Sequence, residues 1–107
     1  MNFKHINYVL TVLTEGSITA ASKKLFVSQP ALSQTIKLIE QDLGAPIFDR
    51  STDPISLTHA GQRYVEAAQA ILDIDRNLRA EIAETKKEVH GRMRVGLSSQ
   101  RGIQLLP

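Results

Sequence analysis

The chain has no cysteine, no tryptophan and, among 107 residues, only three phenylalanines and two tyrosines. Without cysteine there are no disulfides and no thiolate metal sites, which suits a reducing compartment, so a cytoplasmic protein is expected. His5, His59 and His90 are the only histidines. They lie far apart in sequence and form no metal-ligand spacing; capping or surface roles explain them. No glycine-rich loop runs into Lys-Ser or Lys-Thr, so a nucleoside-triphosphate cradle is not encoded. Serine and aspartate are plentiful, but they stand at caps and turns where local hydrogen bonding accounts for them. Long apolar runs are missing too. The N-terminal stretch MNFKHINYVLTVLTEG is too short and too interrupted to span a membrane and has no signal-peptide cleavage pattern. These absences argue against an enzyme, a metal protein and a membrane partner, and no cofactor is expected in this segment.

What remains is a chain long enough for one small core, and domains of this size are often stabilised by self-association. The net charge of +2 is less informative than it looks. Residues 1–63 carry six Lys+Arg against five Asp+Glu, residues 64–90 four against six, and residues 91–107 three against none. A strong nonspecific grip on nucleic acid is therefore not implied, and local clustering matters more.

The segment GSITAASKKLFVSQPALSQTIKLIEQDLG, residues 16–44, holds the clearest local signals. Before it, Asn2 caps a first helix with Phe3, Ile6, Leu10 and Leu13 on one face, and Gly16 ends that helix. Ser17 caps a second, from about Ile18 to Leu25, which offers Ile18, Ala21 and Leu25 to the core. Ala20 and Ala21 are small enough for the two motif helices to cross closely. The connecting turn contains Phe26 and Val27 and no glycine; if its dihedrals are ordinary, one of the two packs inward. Ser28 caps a third helix with Pro30 in its first turn, where a missing N–H costs nothing. Leu32, Ile36, Ile39 and Leu43 then recur at helical spacing as a buried stripe. Gln29, Ser33 and Lys37, spaced by four, line the exposed edge with Gln34 nearby.

That edge has the residue types of a major-groove reader: short polar side chains and amides near a helix N-terminus. Lys23, Lys24 and Lys37 supply phosphate contacts, and no acidic residue intervenes from Gly16 to Ile39. An ordinary solvated amphipathic helix would show the same periodicity. After Gly44, Ala45-Pro46 blocks helix continuation. Ile47-Phe48 and Ile55-Ser56-Leu57 then flank Ser51-Thr52-Asp53-Pro54 as a short β-hairpin. Arg50 at its base either reaches DNA or forms a surface ion pair with Asp49 or Asp53.

Thr58 caps a long helix whose first turn contains Gly61, a site of close approach, and the helical pattern continues to about Val89 before Gly91. Tyr64, Ala68, Ile71, Asp75, Leu78, Ile82, Thr85 and Val89 alternate spacings of four and three, a heptad seam interrupted by Asp75 and Thr85. Only the first turns of such a helix can reach its own small domain, so the seam calls for a second subunit. Beyond it, Met93-Arg94-Val95-Gly96-Leu97 alternates like a strand.

The combination of Ala20-Ala21, Leu25, Ser28-Gln29-Pro30-Ala31-Leu32-Ser33, Ile36, Ile39-Glu40, Leu43-Gly44, Phe48, Arg50, Leu57-Thr58 and Ala60-Gly61 resembles the N-terminal domain of bacterial LysR-type transcriptional regulators. The likeness runs from about Phe3 to the end of the chain. It implies a mainly α fold: a winged helix-turn-helix of three helices and a short β-hairpin wing, followed by a long dimerisation linker helix. The expected organisation is a DNA-binding domain over residues 1–58, with the helix-turn-helix at about 18–37 and the wing at about 47–58. A linker helix over 59–90 follows, then the start of a truncated effector-binding domain over 91–107.

The resemblance implies a sequence-specific regulator that binds an inverted repeat of double-stranded DNA as a homodimer, with recognition helix 28–43 in the major groove. Ser28, Gln29, Pro30, Ser33, Gln34, Lys37, Lys24 and Arg50 are the expected DNA contacts. Tyr64, Ala68, Ile71, Leu78, Ile82 and Val89 are the expected dimerisation residues. The full-length protein, several-fold longer, would bind a small-molecule effector, with a tetramer open to it. Two positions depart from the family: Gln34 stands where many members carry arginine, and Asp53-Pro54 occupies a wing tip that is commonly basic. Glutamine pairs with adenine where arginine prefers guanine, and phosphate would repel the Asp53 carboxylate. A helical oligomerisation or protein-adaptor module without DNA binding is the alternative.

Overall fold

The computed structural model describes residues 1–94, with side-chain surroundings described through Lys87. Its elements are α1 (Phe3–Glu15), α2 (Ile18–Leu25), α3 (Gln29–Leu43), β1 (Phe48–Asp49), β2 (Ser56–Leu57) and α4 (His59–Arg94). Two compact units result, Met1–Gln69 and a second beginning at Ala70, so the first three turns of α4 belong with the winged portion.

Each of the first three helices starts where side-chain chemistry directs, and α1 and α3 stop at glycine. The Asn2 side chain accepts the His5 N–H at 2.8 Å, Ser17 Oγ accepts from Ala20 at 3.1 Å, and Ser28 Oγ accepts from Ala31 at 3.2 Å. Each satisfies one of the N–H groups that a helix start leaves without an internal partner. Gly16 and Gly44 close α1 and α3 in the left-handed conformation, at φ 80° and 86°.

The core is mainly aliphatic. Ile6, Val9 and Val12 from α1, Ala21 from α2, Leu32, Ile36 and Ile39 from α3, Ile47 and Phe48 from the first arm of the hairpin, and Tyr64 and Ala68 from α4 are all buried. The face of α1 is therefore rotated from expectation. Apolar residues at 3, 6, 9, 10, 12 and 13 make an arc wider than one row, and the row packed inside runs through Val9 and Val12. Leu10 and Leu13 are half-buried, and Phe3 is exposed. Leu43, expected to end the α3 stripe inside, is exposed in the last turn. Ile18 and Leu25 are half-buried, leaving Ala21 as the inward contact of α2.

The turn between α2 and α3 corrects a second expectation. Its dihedrals are not ordinary: Phe26 takes φ 58° and ψ 41°, the left-handed region, and the residue is 94% exposed. For a residue with a Cβ this conformation costs about 1–2 kcal/mol. Val27 is the half-buried member of the pair.

The hairpin pairs Phe48 with Leu57 and Asp49 with Ser56 in antiparallel register. Its far arm is tied back to the helices, because the Ile55 N–H donates to the Gly16 carbonyl at 2.9 Å. At the start of α4, Thr58 Oγ1 accepts the Gly61 N–H at 3.0 Å and donates to the Pro46 carbonyl at 2.6 Å. The Thr58 N–H in turn donates to the Ile47 carbonyl at 3.0 Å. Gly61 lies against the same carbonyl: a Cβ there would come within 2.0 Å of the Ile47 oxygen.

α4 is one continuous helix of 36 residues, about 54 Å at 1.5 Å per residue. It runs through Gly91, which was expected to mark its end, and Met93-Arg94 lie on the helix rather than opening a strand. A lone glycine costs a helix only about 1 kcal/mol. The remainder of the strand expected at Met93–Leu97, and the rest of 95–107, lie outside the described residues. No described helix is long and apolar enough to cross a membrane.

Candidate nucleic-acid interface

α2 and α3 are joined by three residues, Phe26, Val27 and Ser28. The turn is held by the Val27 N–H donating to the Ser22 carbonyl at 3.1 Å and the Phe26 N–H to the Lys23 carbonyl at 3.3 Å. Ser22 is buried, and its hydroxyl donates to the Thr19 carbonyl at 2.8 Å, so this polar side chain is satisfied within its own helix. α3 is fixed from beneath by Leu32, Ile36 and Ile39.

The opposite side of α3 carries the polar residues picked out from the sequence. Gln29, Pro30, Gln34 and Lys37 are exposed, Ser33 is half-buried, and Ser28 is exposed at the cap. At 3.6 residues per turn, positions 29, 30, 33, 34 and 37 fall within an arc of about 140°. The structure thus brings these five side chains onto one face, at the end of the helix whose free N–H groups favour negative charge. Lys23 and Lys24 are exposed in the last turn of α2. All of these positions lie in the acid-free stretch from Gly16 to Ile39.

Arg50 sits just after β1 and is exposed, but its nearest carboxylate is neither Asp49 nor Asp53. Its guanidinium approaches Glu40 Oε1 at 3.9 Å, a weak, partly solvated pair. Asp49 is occupied by its own turn, where Oδ1 accepts the Ser51 hydroxyl at 2.5 Å and the Ser51 N–H at 3.0 Å. These bonds hold the Asp49 carboxyl below its ordinary pKa. Asp53 is exposed at the wing tip. Glu40 has a structural role that sequence reading missed. Its side chain is 18% exposed, and Oε2 accepts the Ile47 N–H at 2.7 Å and the Phe48 N–H at 3.4 Å. It thereby anchors the wing to the last turns of α3.

The expected dimerisation residues separate into groups. Tyr64 and Ala68 are buried in the winged unit itself, at 4% and 0% exposure, so their seam positions are already filled and no partner can cover them. The reason is that α4 begins against the Ile47 carbonyl, which turns its first three turns onto the core. Ile71 is half-buried. In the second unit, Leu78 and Ile82 are exposed, and so is Ile74, which the seam reading omitted. The three are spaced by four and form one apolar row. Asp75, on the seam, pairs with Arg79 at 3.0 Å. Asp73 pairs with Arg76 on the same helix. The backbone of Val89 is helical; its side chain lies outside the described residues.

Two short helices joined at a tight turn, the second with a polar face, and a two-stranded hairpin tied to the end of α1 and to α3 define a winged helix-turn-helix. Residues 3–62 match the sequence model of the family described as bacterial regulatory helix-turn-helix protein, lysR family. The chain belongs to this family. It is 31% identical to the transcriptional regulator MetR of Haemophilus influenzae over 97 residues, covering 91% of this chain and 31% of that one. A crystal structure of the CbnR DNA-binding domain in complex with DNA superposes with a TM-score of 0.65 at 35% identity, covering 78% of this chain and 99% of that one. Full-length LysG of Corynebacterium glutamicum with bound arginine effector gives a TM-score of 0.63 at 33% identity, covering 87% of this chain and 29% of that one. These matches name transcriptional regulators and a DNA complex, and they favour neither an enzyme nor the adaptor module. The chain spans about a third of the length of the first curated relatives it matches.

Proposed function

We propose that the winged unit binds double-stranded DNA sequence-specifically, with α3 in the major groove, as the DNA-binding part of a LysR-type regulator. The observation that carries the reading is the face of α3. Gln29, Ser33 and Gln34 offer the donors and acceptors that read base edges, Pro30 an apolar contact, and Ser28 and Lys37 contacts to phosphate. Lys24 adds a phosphate contact from α2. Arg50 reaches the backbone only by releasing Glu40, and with the Asp53 carboxylate at its tip the wing contributes little. The assignment of residues 1–58 to DNA binding and 59–90 to a linker follows the same reading.

Homodimerisation is assigned to the row Ile74, Leu78 and Ile82 with Ile71 and Val89. Two-fold pairing of α4 sets the separation of two recognition helices, so the site is an inverted repeat. In the longer protein, the segment after α4 begins a domain that takes a small-molecule effector, and the whole works in the cytoplasm, as a dimer or tetramer.

The test is selection of bound duplexes from a random pool at moderate salt, followed by sequencing. Enrichment of an inverted repeat is expected. Replacing Gln29, Ser33 or Gln34 with alanine should cost on the order of 1–3 kcal/mol and relax one or two base pairs. If Gln29→Ala combined with Ser33→Ala left the enriched sequence and its affinity unchanged, α3 would not be the reading helix.

A further inference from the structure

We propose that Phe26 is a DNA contact, its ring packing on the deoxyribose face of the strand that borders the groove entered by α3; this rests on the reading of α3 given above. Among the described residues Phe26 is the only non-glycine with positive φ, and it is 94% exposed. An aromatic ring in that position adds nothing to the core. Asparagine or glycine would take the same backbone conformation with less strain and no exposed apolar surface. Strain maintained at an exposed aromatic residue points to an interaction made outside the chain.

Its position identifies the partner. Phe26 immediately follows α2, whose last turn carries the exposed Lys23 and Lys24, and it stands three residues before Gln29 at the head of α3. The surface is an apolar ring flanked by cations, continuous with the polar edge of α3 and free of carboxylates from Gly16 to Ile39. A sugar–phosphate strand offers the complement: phosphates for the lysines and an apolar sugar face for the ring. A protein partner would not require this acid-free surround. The ring carries no charge and touches no base edge, so its contribution is the same on every sequence and independent of salt. That separates it from Lys24, whose loss flattens the salt dependence.

The chain lacks tryptophan, so Phe26→Trp introduces a single tryptophan at the proposed contact, excited selectively beyond the absorption of the two tyrosines. Saturating the variant with duplex should change its emission and protect it from acrylamide. Phe26→Asn should bind both the selected and a random duplex about ten-fold more weakly, the scale of partial burial of one ring. Its salt slope should be unchanged and its thermal midpoint higher. An introduced tryptophan that stays equally open to acrylamide on bound DNA overturns the inference. So does wild-type affinity in Phe26→Asn. If Gln29→Ala with Ser33→Ala abolishes selection at the same time, the inference fails alone and the DNA-binding reading stands; if the wild-type chain selects no duplex, both fall.

Discussion

Replacing Gly61 with alanine sets two physical effects against each other, and the structure decides the sign. Gly61 lies in the first turn of α4, and helix propensity alone predicts that alanine stabilises it by about 1 kcal/mol. The added Cβ, however, would lie 2.0 Å from the Ile47 carbonyl oxygen, 2.9 Å from its carbon and 3.1 Å from Leu57 Cδ2. The nearest atoms are backbone, so the clash cannot be relieved by rotating a side chain. That carbonyl also accepts the Thr58 N–H at 3.0 Å, and Ile47 is fully buried with its own N–H on Glu40. Separating the helix from the strand therefore strains a closed set of hydrogen bonds. Overpacking of this kind costs about 1–3 kcal/mol, and one or two weakened hydrogen bonds add about 1 kcal/mol each. After the propensity gain, Gly61→Ala should destabilise by about 3 kcal/mol, a large share of the 5–15 kcal/mol typical of a domain. Urea unfolding followed by circular dichroism at one fixed protein concentration measures it. Gly44→Ala is the control: nothing lies within 4 Å of its Cβ, and only the positive φ of 86° opposes it. It should cost about 1 kcal/mol. A Gly61→Ala midpoint at or above wild type, or above that of Gly44→Ala, would refute the reasoning.

Three further tests address the wing anchor, the core and the assembly. Glu40→Ala strands the Ile47 and Phe48 N–H groups. It should destabilise by about 2–3 kcal/mol on urea unfolding, with Glu40→Gln milder because one acceptor oxygen survives. Tyr64 Oη is buried without a protein hydrogen-bond partner. Burial, then the Asp42 carboxylate, raises the Tyr64 pKa above its ordinary value near 10. The folded state thus holds this proton more tightly than the unfolded state does. The resulting stability is present below about pH 10 and is lost as pH rises through the folded pKa. Tyr64→Phe should raise the neutral-pH unfolding free energy by about 1 kcal/mol and remove that alkaline loss; an unfolding titration to pH 11 checks both. Leu78→Asp with Ile82→Asp should yield monomers whose winged unit remains folded, since its core lies within residues 1–69. Each apolar side chain lost from a dimer interface is worth roughly 1.5–3 kcal/mol, and a dimer persisting at micromolar concentration in sedimentation would move the interface elsewhere.

The helix limits were largely legible because they depend on local chemistry. Asn2, Ser17 and Ser28 cap where they stand, and Gly16 and Gly44 terminate through their own φ. Gly91 was misread because a glycine's effect depends on context: at Gly44 it ends a helix, while at Gly91 the helix continues at a cost of about 1 kcal/mol. The inward row of α1 was misread for a different reason. Six apolar positions cover more than one face, so periodicity gives the width of the stripe, while neighbouring helices choose its centre at Val9.

The long helix shows the same division between local pattern and packing. A heptad seam is a property of one helix, and it assigned Tyr64 and Ala68 to the same partner as Leu78 and Ile82. Gly61 was recognised as a point of close approach, but the consequence is longer in reach: by letting α4 lie against Ile47, it commits Tyr64 and Ala68 to the core of their own unit. The exposed row is then Ile74, Leu78 and Ile82. Phe26 illustrates the converse case. The missing glycine in the turn was visible, and steric reasoning supported an ordinary turn with an inward side chain. Instead the turn keeps its left-handed residue and places an aromatic ring in solvent at the head of α3. Local preference fails at this position, beside the face proposed to read DNA, and functional sites are where such failures are expected.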